Sequence, residues 1–198
     1  MLLLALASLA GVFGCSSKTV IPPADTSASR PPPQGRAENP DQARLKDALV
    51  GPGLPAPEVV DLSDRLLADG NPARHDQETM ARLELVLLKT IKGSDKAQSS
   101  GLWRNLGIIH YHQKKYSQAR QELQAANELN PRVARTHFYL ACLFAHQGAI
   151  FDKKGKKKVS RQQYKRASIE MDQARKLEPG NALYRQDIKQ IIAQENGQ

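Results

Sequence analysis

From residue 41 onward, apolar side chains return at intervals of three and four, the spacing that lines one face of an α-helix. Polar breaks divide this pattern. Gly51-Pro52, Gly70-Asn71-Pro72, Gly93-Ser94-Asp95, Asn130-Pro131 and Glu178-Pro179-Gly180-Asn181 each interrupt it, and a proline disfavours helical geometry in the residue before it. The pattern predicts helices near 41–49, 58–69, 76–92, 100–113, 117–129, 133–147, 160–177 and 181–195. Pro, Gly and aromatic residues are too few in the second half for many short strands.

Two stretches of this pattern match each other. YSQARQELQAANELNP (116–131) aligns without gaps on YKRASIEMDQARKLEP (164–179), pairing Tyr116 with Tyr164, Ala119 with Ala167, Leu123 with Met171, Ala126 with Ala174, Leu129 with Leu177 and Pro131 with Pro179. Trp103, Leu106-Gly107 and His110 precede the first copy. With Ala119, Leu123, Ala126 and Pro131 they resemble the tetratricopeptide repeat, a unit of two antiparallel helices and 34 residues. In the second unit Leu140, Ala141 and Phe144 take the matching places, with His137 where Trp103 stands. The resemblance covers residues 100–195, about half the chain. It implies an all-α fold of helical-hairpin repeats, an α-solenoid: a unit at 100–133, a second at 134–181, and a capping helix within 182–198. Residues 41–99 read as a helical region with a degenerate repeat, since such arrays need about three stacked units.

The second unit is longer than the first. Phe144 to Tyr164 spans 20 positions where His110 to Tyr116 spans six, an insertion of 14 residues between its helices. This segment, near 150–163, carries Lys153, Lys154, Lys156, Lys157 and Lys158. It reads as a basic loop suited to docking on an anionic lipid or cell-wall polymer, and parts of it can lengthen the flanking helices.

The first 40 residues follow another pattern. Met1–Gly14 is an uncharged apolar run, too short for a membrane span of about 20 residues but of signal-peptide length. Val12-Phe13-Gly14-Cys15 resembles the lipobox of bacterial lipoproteins, in which the cysteine is acylated and becomes the first residue of the mature chain. That resemblance implies a signal peptide at 1–14, lipidation of Cys15, and, from Ser16, an outer-membrane address with the domain facing the periplasm. No Lys or Arg precedes the run, which points either to a start further upstream or to a weak signal. Residues 15–40 hold the lipidated cysteine and a Pro/Ser-rich linker. Its six prolines favour polyproline II at about 3.1 Å per residue, a disordered tether reaching on the order of 75 Å.

The chain carries a net charge of +9, unevenly placed. Residues 1–101 hold 11 Lys/Arg against 12 Asp/Glu, and residues 102–198 hold 18 against eight. Such a basic half suits nucleic acid in general, but an exported lipoprotein has acidic protein, anionic lipid or cell-wall polymer as its expected partners. Nucleic acid is not expected. Cys15 and Cys142 are the two cysteines, so acylation of the first leaves no disulfide framework.

No nucleophile motif, carboxylate constellation or phosphate-binding glycine loop is present. His110, His112, His137 and His146 lack companions at metal-ligand spacing. No cofactor, metal or catalytic residue is expected, and the chain reads as non-enzymatic. Ligands of the repeat family lie in the concave groove of the first helices, which implies Arg104, Ile108 and Tyr111 from one unit and Arg135, Phe138 and Cys142 from the next. That mixture suits an extended or helical peptide with acidic residues, and Phe138→Ala is then expected to weaken binding with the fold intact. The function so implied is a scaffold or assembly factor in an envelope machine, similar to the pilotins that guide secretins. The alternative is an envelope enzyme with a cryptic site in the groove.

Overall fold

Side-chain caps and prolines set the helix starts. In the computed structural model, which describes residues 39–95 and 99–196, Asn39 accepts a hydrogen bond from the Asp41 amide at 3.0 Å and opens α1, Pro40–Val50. Pro57 sits in the first turn of α2, Ala56–Leu66, where its missing N–H costs nothing. Asn71 caps a 3₁₀ turn at Pro72–His75, and Asp76 accepts from the Thr79 amide at 2.9 Å to open α3, Gln77–Gly93. Then follow α4, Ser99–His112, α5, Tyr116–Leu129, α6, Ala134–Lys153, α7, Lys157–Leu177, and α8, Ile188–Asn196. No strand occurs among the described residues, so the fold is all-α. Cys15, the signal-like run and nearly all of the tether lie outside the described residues.

The helices pack as successive hairpins. α4 lies against α5 and α6 against α7, while α3 meets α4 and α5 meets α6 across neighbouring pairs. α1 packs on α3, and α8 on α6. Leu62, Leu83, Leu87, Leu102, Leu106, Leu123, Leu143 and Met171 are buried and join one core that runs from α2 to α7. The aligned residues Ala119, Leu123 and Ala126 in α5 and Ala167, Met171 and Ala174 in α7 are all buried. Small side chains there let the helix axes approach. Gly107 marks the closest approach in the first hairpin: a Cβ on it would stand 2.7 Å from Leu123 Cγ and 3.2 Å from the Ala119 carbonyl oxygen.

The insertion in the second unit is helix rather than loop. α6 has 20 residues against 14 in α4, and α7 has 21 against 14 in α5. Each helix gains about two turns of 3.6 residues, so the faces that meet in the first hairpin stay in phase along the longer one. The turn itself is kept. Lys114, at φ 61°, ends α4 in the left-handed region, and Gly155, at φ 71°, ends α6 the same way. The Lys115 amide donates to the His110 carbonyl at 2.8 Å and the Lys156 amide to the Phe151 carbonyl at 2.9 Å. This is one helix-ending motif used twice. The expected basic loop is therefore the exposed tip of a helical hairpin, with Lys153 closing α6, Lys154 and Lys156 in the turn, and Lys157 and Lys158 opening α7.

Two expected boundaries move. The helix expected at 58–69 begins at Ala56 and stops at Leu66, because Asn71 and Pro72 start a separate turn. The capping helix expected at 181–195 is broken. Asn181 accepts from the Leu183 amide and holds a 3₁₀ turn at Leu183–Arg185; Gln186 is extended, and Asp187 accepts from the Lys189 amide at 2.7 Å to begin α8. Its Ile191 and Ile192 are buried.

Candidate functional site

The expected groove is occupied by the chain itself. Ile108, Tyr111, Phe138 and Cys142 are all buried, with Phe138 only 5% exposed. Two segments cover them. α2 lies over α4, and the segment after α7 lies over α6, where the Tyr184 ring sits 5.3 Å from that of Phe138. Arg104 and Arg135 turn inward to one carboxylate. Arg104 Nη2 donates to both oxygens of Asp64 at 2.6 Å, and Arg135 Nη1 donates to Asp64 Oδ1 at 3.2 Å. Arg135 also donates to the Leu67 carbonyl. Both arginines are only partly exposed, and such partners offset the hydration they lose there. Of the six residues expected as an open docking surface, Arg104 and Arg135 thus tie down α2 and Phe138 packs against the C-terminal segment, while Tyr111 packs among Tyr116, Tyr139 and His146. What remains there is a cleft of about 260 Å³ between Asp64, Asp69, Arg135, Tyr139, Glu178 and Tyr184.

The histidines at repeat positions are paired with carboxylates. His110 points Nδ1 at Glu122 Oε2, 2.6 Å away, and Nε2 at Glu84 Oε1, 3.2 Å away. His137 points Nδ1 at Glu170 Oε2, 2.7 Å away, and Nε2 at the Pro131 carbonyl, 2.9 Å away. In both cases two acceptors face the two ring nitrogens, an arrangement satisfied only by the imidazolium. Burial by itself would lower the His110 pKa, but the hydrogen bonds from Glu122 and Glu84 leave it raised. For His137 the Glu170 hydrogen bond dominates, and the pKa is again raised despite burial. Burial pushes Glu84 upward, yet Gln113 and His110 together leave it lowered.

The sign of the pH dependence follows. A raised histidine pKa gives stability that is complete below the unfolded value of 6.5 and is lost as pH rises through the folded value. The melting temperature of the intact chain is expected to fall as pH rises above about 6.5, as the two imidazolium ions lose their protons. In a His110→Gln/His137→Gln double variant the same scan should be flatter, whatever its absolute stability. An unchanged slope would show that neither imidazolium contributes.

A second feature lies where the hairpin turns meet. The 3₁₀ turn before α3, the end of α4 and its turn into α5 enclose two adjacent clefts of about 440 and 180 Å³ that share Arg74, His75 and His112 as walls. Lys115, Gln113 and Met80 line the larger; Lys114, Tyr116 and His146 line the smaller. The floor is aromatic. His146 Nε2 lies 3.2 Å from the Tyr111 hydroxyl and stacks on Tyr116 at 4.8 Å, and His112 Nε2 lies 3.3 Å from the Tyr139 hydroxyl. Burial lifts the Tyr139 pKa to about 12, so its hydroxyl stays protonated. Sequence reasoning missed Arg74, His75, Lys114 and Lys115. They sit in turns, outside any helical period, and only the backbone brings the two turns together.

The order of the hairpins, the glycine at the close crossing and the repeated turn are those of a helical-repeat array. Residues 100–133 match the tetratricopeptide repeat. The match spans α4 and α5 and includes Trp103, Gly107, Ala119 and Leu123. The curated proteins contain no match to the chain. The tetratricopeptide unit points to a role in protein–protein interaction. Among the described residues no group of three or more His, Cys, Asp or Glu is placed to hold a metal ion, and no helix is long and apolar enough to cross a membrane.

Proposed function

We propose that this protein is a non-enzymatic adaptor of a bacterial envelope machine, anchored by lipid at Cys15 in the outer membrane and working in the periplasm on its proline-rich tether. The tetratricopeptide unit at 100–133 carries this reading, because stacked helical hairpins present a fixed surface to a protein partner. The lipobox-like Val12-Phe13-Gly14-Cys15 supports the anchor. An assembly role of the pilotin kind fits a small domain that must reach from a membrane to a larger structure. Fractionation and mass spectrometry test the anchor: the chain should carry acyl groups at Cys15 and sit in the membrane fraction, and Cys15→Ser should release it. Intact Met1 on a membrane-free product would overturn it. Crosslinking in intact cells tests the adaptor role, and recovery of the chain without any protein partner would overturn that.

The hairpin tip has a separate part in this reading. Lys153, Lys154, Lys156, Lys157 and Lys158 are all exposed, and only Lys157 is paired among the described residues, with Asp152 at 3.0 Å. Ammonium groups so close together attract an anionic surface over about 8–10 Å at moderate salt, so they act chiefly on the rate of approach. Replacing all five with glutamine is expected to flatten the salt dependence of partner or vesicle association while changing dissociation little. An undiminished salt slope in stopped-flow measurements would remove the tip from the binding process.

A further inference from the structure

We propose that the paired clefts beside Arg74, Lys114 and Lys115 form a binding site for an acidic, extended peptide segment of a protein partner. The inference rests on the adaptor reading above and assigns it a surface. Three observations carry it.

The first is charge. Arg74, Lys114 and Lys115 line the clefts together with His75, His112 and His146, and no aspartate or glutamate lines either one among the described residues. The nearest carboxylates are already engaged. Asp69 holds Arg74 Nη1, while Glu84 accepts from Gln113 at 2.9 Å and lies 3.6 Å from Lys115. Three cations against these two carboxylates, which pair from outside the clefts, leave a positive excess that favours an anionic ligand.

The second is an unmet pair of polar atoms. Arg74 Nε is buried with no hydrogen-bond partner among the described residues, and so is Gln113 Oε1. The orientation of the Gln113 amide is fixed, because its other end donates to the carboxylate of Glu84, which can only accept. The walls therefore hold one donor and one acceptor that need partners. A simple anion such as phosphate answers the donor alone. A peptide answers both once the wall side chains turn to expose these buried atoms, with a carboxylate or carbonyl for Arg74 Nε and a backbone N–H for Gln113 Oε1.

The third is the mixture of surfaces. Met80 and the Tyr111 and Tyr116 rings supply apolar area beside the cations, which suits an apolar side chain next to an acidic one. The larger cleft alone, at about 440 Å³, is in the range of sites that hold small ligands, about 300–1,000 Å³. The surface differs from the groove expected from the repeat in lying along the turns, and it shares only Tyr111 with that groove.

Titration of the full-length, isotope-labelled chain tests this. The probe is a pool of octapeptides of Asp, Glu, Leu and Phe, set against the same pool with Asn and Gln in place of the acids. The acidic pool is expected to move the amide resonances of Arg74, Gln113, Lys114 and Lys115, and the amide pool is not. A Lys114→Asn/Lys115→Gln variant should bind the acidic pool about tenfold more weakly, as expected on losing two close charges. Asparagine tolerates the left-handed backbone at 114, and a melting curve confirms that this variant is folded. Equal binding of the two pools, or shifts confined to other residues, would overturn the site. So would inorganic phosphate or a single-stranded oligonucleotide moving these resonances where the acidic pool does not. A partner captured in cells whose binding ignores the double variant would also overturn the site, while leaving the adaptor reading in place.

Discussion

Gly107→Val is expected to destabilise the protein by about 3 kcal/mol, at the upper end of overpacking costs. The reason is the crossing of α4 and α5. A Cβ at 107 would lie 2.7 Å from Leu123 Cγ, well inside contact distance, and 3.2 Å from a backbone oxygen of α5. Leu123 has no exposure and no room to turn away. Relief requires the two helices to part, which breaks the packing of Ala119 and Leu123 together. For a domain of this size each kcal/mol lowers Tm by about 2–4 °C, so a fall of roughly 6–12 °C is expected in a thermal melt. Two controls separate the crossing from helix propensity. A Cβ at Gly148 would meet Tyr164 ring atoms at 3.1–3.2 Å, and one at Gly180 would meet nothing within 4 Å. Alanine at 148 should cost less than valine at 107, and alanine at 180 should be close to neutral. A Gly107→Val protein melting within about 2 °C of the parent would refute the close crossing.

Phe138→Ala is expected to cost about 3 kcal/mol, the lower end for removing a buried phenylalanine. This reverses the expectation drawn from the repeat alone, in which Phe138 met a partner and could be removed with the fold intact. Its ring packs edge-on to Tyr139 at 5.2 Å and beside Tyr184 at 5.3 Å. Truncation leaves a cavity between α6 and the segment after α7. The loss should fall first on that segment, whose other polar ties are local: Arg175 Nε donates to the Tyr184 carbonyl at 2.6 Å, and Arg185 donates to the Pro179 carbonyl at 2.7 Å. Urea unfolding gives the total, and limited proteolysis gives the place. Cleavage near 180–187 should precede cleavage elsewhere in the variant. A variant as stable as the parent, with that segment still protected, would contradict the packing.

The hairpins were legible in the sequence because their information is local. Alanines and large apolar residues three and four apart fix the buried face of α5 and α7, and Pro131 and Pro179 mark where those helices stop. The number of extra residues at 150–163 was also legible, but their structure was not. Counted from the aligned Phe144 and Tyr164, the insertion adds seven residues to the end of α6 and seven to the start of α7, which preserves their phase, and no polar break separates loop from helix there. The covering of the groove could not be read at all. It depends on Asp64 meeting Arg104 and Arg135, 40 and 71 positions away, in a region whose repeat signature is degenerate. A charged residue on an amphipathic helix looks the same in sequence whether it faces water or two arginines. The turn-edge clefts were hidden for a related reason, since Arg74 and Lys114 lie in segments without periodicity.

The long α6–α7 hairpin also bears on how the chain acquires its structure. Its helices meet along their length across a three-residue turn, so their contacts are formed between residues close in sequence. Such contacts require little loop closure, and chains dominated by them fold quickly. α4 and α5 share this property, whereas the Asp64 bridges close only after some 40 to 70 residues have been gathered in. The order of assembly that follows has the two C-terminal hairpins forming as early, largely independent units, with α2 and α3 docking on α4 afterwards and α1 packing on α3. In synthesis from the N-terminus, α2 then emerges before α4, the helix it covers, and its Asp64 meets Arg135 only once α6 has begun.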